Sequence, residues 1–238
     1  MQLSNHTLII AAKYLLRYLL RPRAMFSRRI ICGQRSYADA GQDLFTILLH
    51  DKKSSGTYVE IGAQDPIKNS NTYLLETDFQ WRGISFEWRR DFYLFFNWRR
   101  QNRCVQADAT TFDYASEFRR VNMPANIDYL QVDIEPSEST LAALKTLPHD
   151  NYRFSTITFE HDIYQSGTYS MIESRRFLRE RGYFLFAENV KIRGLPFEDW
   201  WIDPNIFKSY LTRSEPVYRD TEYEDVIDGL LNNRSGRD

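Results

Sequence analysis

Cysteine is nearly absent from this chain of 238 residues: Cys32 and Cys104 stand alone, which excludes a disulfide framework and a cysteine-based metal cluster. That scarcity suits a reducing compartment, and neither thiol is assigned a role. Net charge is also missing. A formal charge of −1 gives no global pull toward nucleic acid, so any electrostatic argument must be local. No apolar run reaches the about 20 residues that cross a bilayer, because Lys13, Arg17 and Arg21 interrupt the one stretch that comes near. No small-residue cleavage site follows that stretch, and its basic residues lie inside and after it, which disfavours a signal peptide. The expectation is a cytoplasmic protein.

Acidic residues are missing from the amino end as well. None precedes Asp39, whereas Lys13, Arg17, Arg21, Arg23, Arg28, Arg29 and Arg35 are all basic. Residues 1–36 therefore read as a basic amphipathic extension, with Lys13, Arg17 and Arg21 on one helix face until Pro22 ends the pattern. Two readings stay open: peripheral contact with an anionic inner membrane surface, or packing on the domain or a second subunit, which is the plainer one. Oligomeric state is left open.

From Tyr37 onward the sequence is a regular alternation, and its 42% hydrophobic content is that of a globular domain. A leading helix over residues 41–49 is followed by strands at 58–61, 83–87, 103–107, 127–133 and 154–160. Helical patterns starting at Thr72, Asp91, Asp113, Glu138 and Tyr169 follow those strands in turn. This predicts an α/β fold with a mostly parallel sheet and helices on both faces. Residues 183–187 and 190–192 are expected to close it as an antiparallel hairpin turning at Glu188-Asn189. The organisation is thus an extension (1–36), a main domain (37–204) and a polar tail with a short helix (205–238).

The stretch from Tyr58 to Asn71 is a strand, a glycine turn and a helix start, with Ser70-Asn71 as the cap. Ligands in open parallel sheets bind at such turns. Successive strands end near Glu60, Glu87, Asp108 and Asp133, which lines one sheet edge with carboxylates. Glu87 lies at the interval from Gly62 at which a carboxylate meets ribose hydroxyls. No second glycine follows Gly62, so the pyrophosphate cradle of a dinucleotide site is lacking and a nicotinamide oxidoreductase is disfavoured. A ligand with adenosine and no pyrophosphate, such as S-adenosylmethionine, fits better.

Several segments together resemble the FkbM family of S-adenosylmethionine-dependent methyltransferases. They are Gly41-Gln42-Asp43, Val59-Glu60-Ile61-Gly62-Ala63 with Asp65 and Ser70-Asn71-Thr72, Trp81-Arg82-Gly83-Ile84, Asp128-Tyr129-Leu130 with Asp133-Ile134-Glu135, Glu160-His161, Gly182-Tyr183 and Glu198-Asp199-Trp200-Trp201. The likeness runs from about Tyr37 to Pro204. It implies a class I methyltransferase fold, Rossmann-like, with seven strands and the last antiparallel. It also implies methyl transfer to a hydroxyl of a sugar, glycan or secondary metabolite. By position, Glu60 and Gly62 fall on the methionine side, Glu87 on the ribose and Asp108 on the adenine edge, and Ala63, Asp65, Asn71 and Asp133 are counted with them as cofactor-binding. Asp133, Glu135, Glu160 and His161 would face the methyl group. Pro66 and Pro136 stand where the family usually has glycine, and Trp88 where it often has proline. Proline fixes φ near −65° and removes a donor, so both loops have different backbone options.

Methyl transfer to oxygen needs a base for the hydroxyl proton, and the candidates are His161, Asp133 and Glu160. His161 has the ordinary pKa best suited to that task. Asp133, Glu135, Glu160 and His161 are also donor types that bind divalent ions, though no metal ligand set is assigned. The Glu198–Trp201 segment is read as packing rather than as a sugar-stacking wall. The expected partner is a small-molecule or glycan acceptor and no nucleic acid; the alternative is a methyltransferase-fold protein with impaired catalysis and a binding role.

Overall fold

Parallel neighbours cannot be joined by tight turns, so a chain of short apolar strands separated by helical stretches must build a sheet by crossovers. The computed structural model describes residues 28–210 and 216–235, and the helix expected around residues 8–21 lies outside them. A small antiparallel pair, β1 (Arg29–Ile31) and β2 (Gln34–Ser36), precedes α1 (Gln42–Leu49). The alternation then runs β3 (Thr57–Ile61), α2 (Tyr73–Phe79), β4 (Arg82–Glu87), α3 (Arg90–Arg99), β5 (Arg103–Gln106) and α4 (Tyr114–Arg120). It continues with β6 (Asn126–Val132), α5 (Ser137–Thr146), β7 (Arg153–Glu160), α6 (Ile163–Ser166) and α7 (Tyr169–Glu180). Strands β8 (Phe184–Ile192), β9 (Leu195–Ile202) and β10 (Tyr218–Arg219) and helix α8 (Tyr223–Ser235) complete it.

Eight strands form one sheet in the order β10-β8-β9-β7-β6-β3-β4-β5. Only β9 runs against its neighbours, β7 and β8. The order reverses between β3 and β6: the chain steps outward through β4 and β5 on one side and through β7 on the other. Crossovers diverge at that point, which opens a crevice past the carboxyl ends of the strands. Pairing of Ile61 with Val132 sets Gly62 and Asp133, the next residues, side by side at its floor.

The period of two along each strand divides the core into two layers. On one face Tyr58, Phe186, Trp200 and Ile202 pack against α1, α2 and α8; on the other Val59, Ile61, Leu185 and Trp201 pack with Phe118, Leu144 and Leu178 of α4, α5 and α7. Trp200 and Trp201 are both buried, so the packing reading of that segment holds and no aromatic wall faces solvent there. Every residue of α1 is buried, and Val226, Ile227 and Leu230 of α8 enter the same core layer.

The expected closing antiparallel hairpin is present, but its turn lies elsewhere. Glu188 and Asn189 lie inside a single strand, and the chain turns instead at Arg193-Gly194, both at positive φ (55° and 80°), as two-residue hairpin turns require. Asn189, at φ 51°, marks a bulge where the register to β9 shifts, and Arg175 donates to its side-chain oxygen (2.6 Å). Among the described residues no helix is long and apolar enough to cross a membrane.

Candidate active site

Two adjoining lobes occupy the crevice. They share Gly62, Gln64, Asp133 and Glu135, so they are parts of one cleft. The first, about 220 Å³, is lined by six carboxylates: Asp39, Glu60, Asp133, Glu135, Glu160 and Asp162. The second, about 560 Å³, has the apolar side chains of Phe86, Phe92, Ala109 and Ile134 with Glu87 and Asp108 at its edge. That size is in the range of small-molecule sites, roughly 300–1,000 Å³.

The glycine turn fixes the floor. Gly62 has φ +92°, and a Cβ there would lie 1.7 Å from the carbonyl oxygen of Asp133. Both Gly62 N and Ala63 N donate to Phe86 O, so the turn is tied to β4 as well as to β6. Beyond it, Asp65 accepts from the amides of Ile67 and Lys68 and thereby shapes the loop; it is not among the residues lining either lobe. Pro66 is accommodated, since its carbonyl accepts from Arg100 (2.9 Å) and the bonds described in the loop need no amide from position 66. Pro136 stands at the N-cap of α5 in extended backbone (φ −78°). The expected cap is corrected: the N-cap of α2 is Thr72, which makes no side-chain cap bond, and Ser70 lies two residues before it, its Oγ accepting from Thr72 N and Tyr73 N. Asn71 lines the first lobe with a buried side-chain oxygen that has no partner.

Each carboxylate has a distinct environment. Glu60, which β3 directs to Tyr58's face, is buried and accepts from Ser85 (2.6 Å) and Thr72 (2.9 Å); burial still pushes its carboxyl up to about 7. Glu87 at the end of β4 uses one oxygen for Gln64 N (2.8 Å) and the other for Arg89 N (2.7 Å). A carboxylate oxygen has a further lone pair, so two acceptor directions remain for a ligand. Asp108 is exposed, and the hydroxyl and amide of Thr110 hold it below the ordinary carboxylate range. Burial, then the charges of Asp162, Glu135, Asp39 and Glu60, pushes Asp133 up to about 7.

His161 is corrected as a cleft residue. It is 0% exposed, absent from both linings, and its Nε2 stands 3.4 Å from Asp199 Oδ1. Alternation explains the placement: Glu160 faces the first lobe, so the next side chain turns the other way, toward β9 and α7. Although burial acts to raise it, Asp199 is held down to about 2 by Arg175, which grips it through two bonds (2.7 and 2.8 Å), and by His161. Asp162, one residue further on, does enter the cleft. It was not singled out from the sequence, nor were Asp39, Gln64 and Phe92; Asp162 had only its place beside a strand end as a signal. No group of three or more His, Cys, Asp or Glu is arranged to hold a metal ion among the described residues.

Buried acids with raised pKa link the site to stability. Unfolded carboxyls titrate near 4, whereas Glu60 and Asp133 are at about 7 and Glu198, buried with Asp133's charge nearby, is at about 8. Between those values the folded chain holds protons that the unfolded chain has released, so stability is present at low pH and is lost as pH rises. His50 and His149, lowered by burial to about 4 from 6.5, act in the opposite sense, but only up to about pH 6.5. Melting temperature is therefore expected to fall by several degrees from about pH 6.5 to about pH 8.5. Differential scanning fluorimetry across that window is the measurement; a flat or rising trace would mean that these carboxyls are ionised throughout.

No family model matches the chain, and no curated protein matches it in sequence. Solved structures that are similar to it include a TehB-like SAM-dependent methyltransferase from Corynebacterium glutamicum, at 12% identity and TM-score 0.47, covering 83% of this chain and 98% of that one. A human methyltransferase 10 domain containing protein is similar at 15% identity and TM-score 0.47, over 84% of this chain and 97% of that one. An rRNA methylase from Streptococcus thermophilus is similar at 11% and 0.44, over 67% and 94%. The sheet itself carries the assignment: numbered from β3, its first seven strands run 3-2-1-4-5-7-6 with the seventh antiparallel, which is the class I methyltransferase fold, and β10 adds an eighth strand beside the sixth.

Proposed function

We propose that the chain is an S-adenosylmethionine-dependent methyltransferase acting on a hydroxyl of a small molecule or glycan. The observation that carries this reading is the cleft at the β3/β6 reversal, where a single-glycine turn brings Glu60, Glu87 and Asp133 around two adjoining lobes. Phe86, Phe92, Ala109 and Ile134 suit an adenine ring, with Asp108 at its edge and Glu87 for the ribose hydroxyls. The unpartnered oxygen of Asn71 and the carboxylate of Glu60 suit an amino-acid ammonium beside Gly62 and Ala63. When bound, the cofactor would supply an electrophilic methyl group at the junction of the lobes.

Asp133 lines that junction, and its carboxyl at about 7 is matched to taking a proton from a hydroxyl near neutral pH. Glu160 faces the first lobe and is the second candidate; His161, buried against Asp199, is set aside. A nucleic-acid acceptor, as in the rRNA methylase above, is opposed by a lobe with six carboxylates and no basic side chain in its lining.

Calorimetric titration with S-adenosylhomocysteine tests the reading. Hydrogen bonds to a charged group contribute roughly 1.5–3 kcal/mol each, so Glu87→Ala is expected to weaken binding by about a hundredfold or more. Because Glu87 also holds Gln64 N and Arg89 N, melting of the free variant is measured alongside. Absence of binding to the unaltered chain would leave a methyltransferase fold with a binding role, the alternative reading.

A further inference from the structure

The first lobe holds more negative charge than one cofactor can use. An amino-acid ammonium needs one or two carboxylates, and Glu60 with Asn71 sits where that group belongs. Asp39 is partnered by Arg29. Asp133 and Glu135 at the junction with the second lobe, and Glu160 and Asp162 beyond it, are then left over, and no Lys, Arg or His is among the first lobe's lining residues. Like charges gathered in one hollow repel, and two carboxyls record the cost: Asp133 is pushed above the ordinary carboxylate range by burial first and then by Asp162, Glu135, Asp39 and Glu60, and Glu135 by burial and then by Asp162, whereas Asp162 is raised by burial alone, against the lowering contacts of Tyr164, His161 and Glu135.

A second observation points to an absent ligand. Asp162 is 4% exposed and lines the lobe, and its Oδ1 has no hydrogen-bond partner among the described residues, while its carboxylate also interacts with the Tyr164 hydroxyl and with Glu135. An acceptor oxygen buried without a donor costs roughly 1–3 kcal/mol, and solvent does not reach it. The residue is held there by its backbone: φ is +45°, and its amide, like that of His161, donates to Phe197 O. Tyr164, 45% exposed, lines the same lobe and adds an aromatic ring.

We propose that this wall binds an ammonium group on the methyl acceptor, so that the acceptor is an amine-bearing alcohol such as an amino sugar or amino alcohol. The assignment rests on the methyltransferase reading and narrows its substrate class. A divalent ion is the wrong occupant, because no three of these groups come together at metal-ligand geometry among the described residues. An ammonium suits spread acceptors: its three N–H bonds diverge, and an aromatic ring nearby stabilises the charge. A neutral sugar would leave the carboxylates facing one another without a counter-charge.

The test starts from the full chain saturated with S-adenosylhomocysteine, so that the cofactor site is filled and its occupancy is known independently. Glucosamine is titrated against glucose and N-acetylglucosamine, and ethanolamine against ethylene glycol, at low salt and near-neutral pH. Each amine is expected to bind at least about tenfold more tightly than its neutral counterparts. Asp162→Asn is expected to remove most of that preference and Tyr164→Leu, at a residue that lines only the first lobe, to reduce it, both leaving S-adenosylhomocysteine affinity within about twofold. Equal binding of amines and neutral compounds, no amine binding to the cofactor-loaded chain, or displacement of the amine by magnesium would each overturn the assignment. Failure of S-adenosylhomocysteine itself to bind would instead overturn the methyltransferase reading on which it stands.

Discussion

Gly62→Ala is expected to abolish S-adenosylhomocysteine binding and to lower the melting temperature by roughly 6–12 °C, taking about 2–4 °C per kcal/mol for a chain of this size. The added Cβ would meet Asp133 O at 1.7 Å, Asp133 C at 2.8 Å and Ile134 Cγ2 at 2.9 Å. Two of those three atoms are backbone, so no rotamer change relieves the clash. The φ of +92° adds a penalty of about 1–2 kcal/mol for any L side chain. Overpacking typically adds another 1–3 kcal/mol. Relief requires the ends of β3 and β6 to part, and those ends carry Glu60 and Asp133. Stability and binding should therefore fall together. Gly182→Ala is the control: its φ is +73°, but a Cβ there has nothing within 4 Å, so only the conformational penalty applies and binding should persist. An alanine variant at position 62 that binds with unchanged affinity would show that this turn is not the floor of the cofactor site.

Much of this was legible in the sequence. Strand and helix alternation with apolar strand cores specified the parallel sheet, and the carboxylates at the strand ends marked the edge at which the cleft lies. Their gathering into one cleft was not readable, because it depends on the reversal of strand order at β3/β6, and the sequence pattern is the same for any order. His161 and Asp162 show how a one-residue difference decides a role. Both follow a strand end, but the alternation that aims Glu160 into the lobe turns His161 inward, and the bend at Asp162 brings the next carboxylate back. The turn of the closing hairpin was misplaced for a related reason: a polar pair inside β8 reads as a turn when it is a bulge serving Arg175. Gly194 was the usable signal, since the preceding Arg193 and it form the two positions that need positive φ.

The deepest omission was Arg100, which in Trp98-Arg99-Arg100 looks like one of several surface charges. Its guanidinium is fully buried and uses every donor: Nε to Glu76 (2.7 Å), Nη1 to Pro66 O and Ser70, Nη2 to Tyr58 and Thr72. Thr72 in turn donates to Glu60, so one side chain braces the loop after Gly62, the cap of α2 and the acid at the end of β3. Arg100→Met is expected to cost about 3–5 kcal/mol, the usual effect of leaving a buried charge without its partner. It should also weaken S-adenosylhomocysteine binding through the loosened loop. Arg100→Lys should recover little, because a single ammonium cannot reproduce a five-donor fork. Glu76 distinguishes a charge effect from a cavity effect. If the cost arises mainly from stranding its carboxylate, Arg100→Met with Glu76→Leu should regain at least about 1 kcal/mol over Arg100→Met alone, since replacing both members of a buried pair is often tolerated. The recovery will be incomplete, because Glu76 also accepts from the amide of Gln101 (2.8 Å) and Pro66 O would still lack its donor. Denaturant unfolding of the four chains closes the cycle. A loss below about 1 kcal/mol for Arg100→Met would mean that the loop is held by its own turns and by the fixed φ of Pro66.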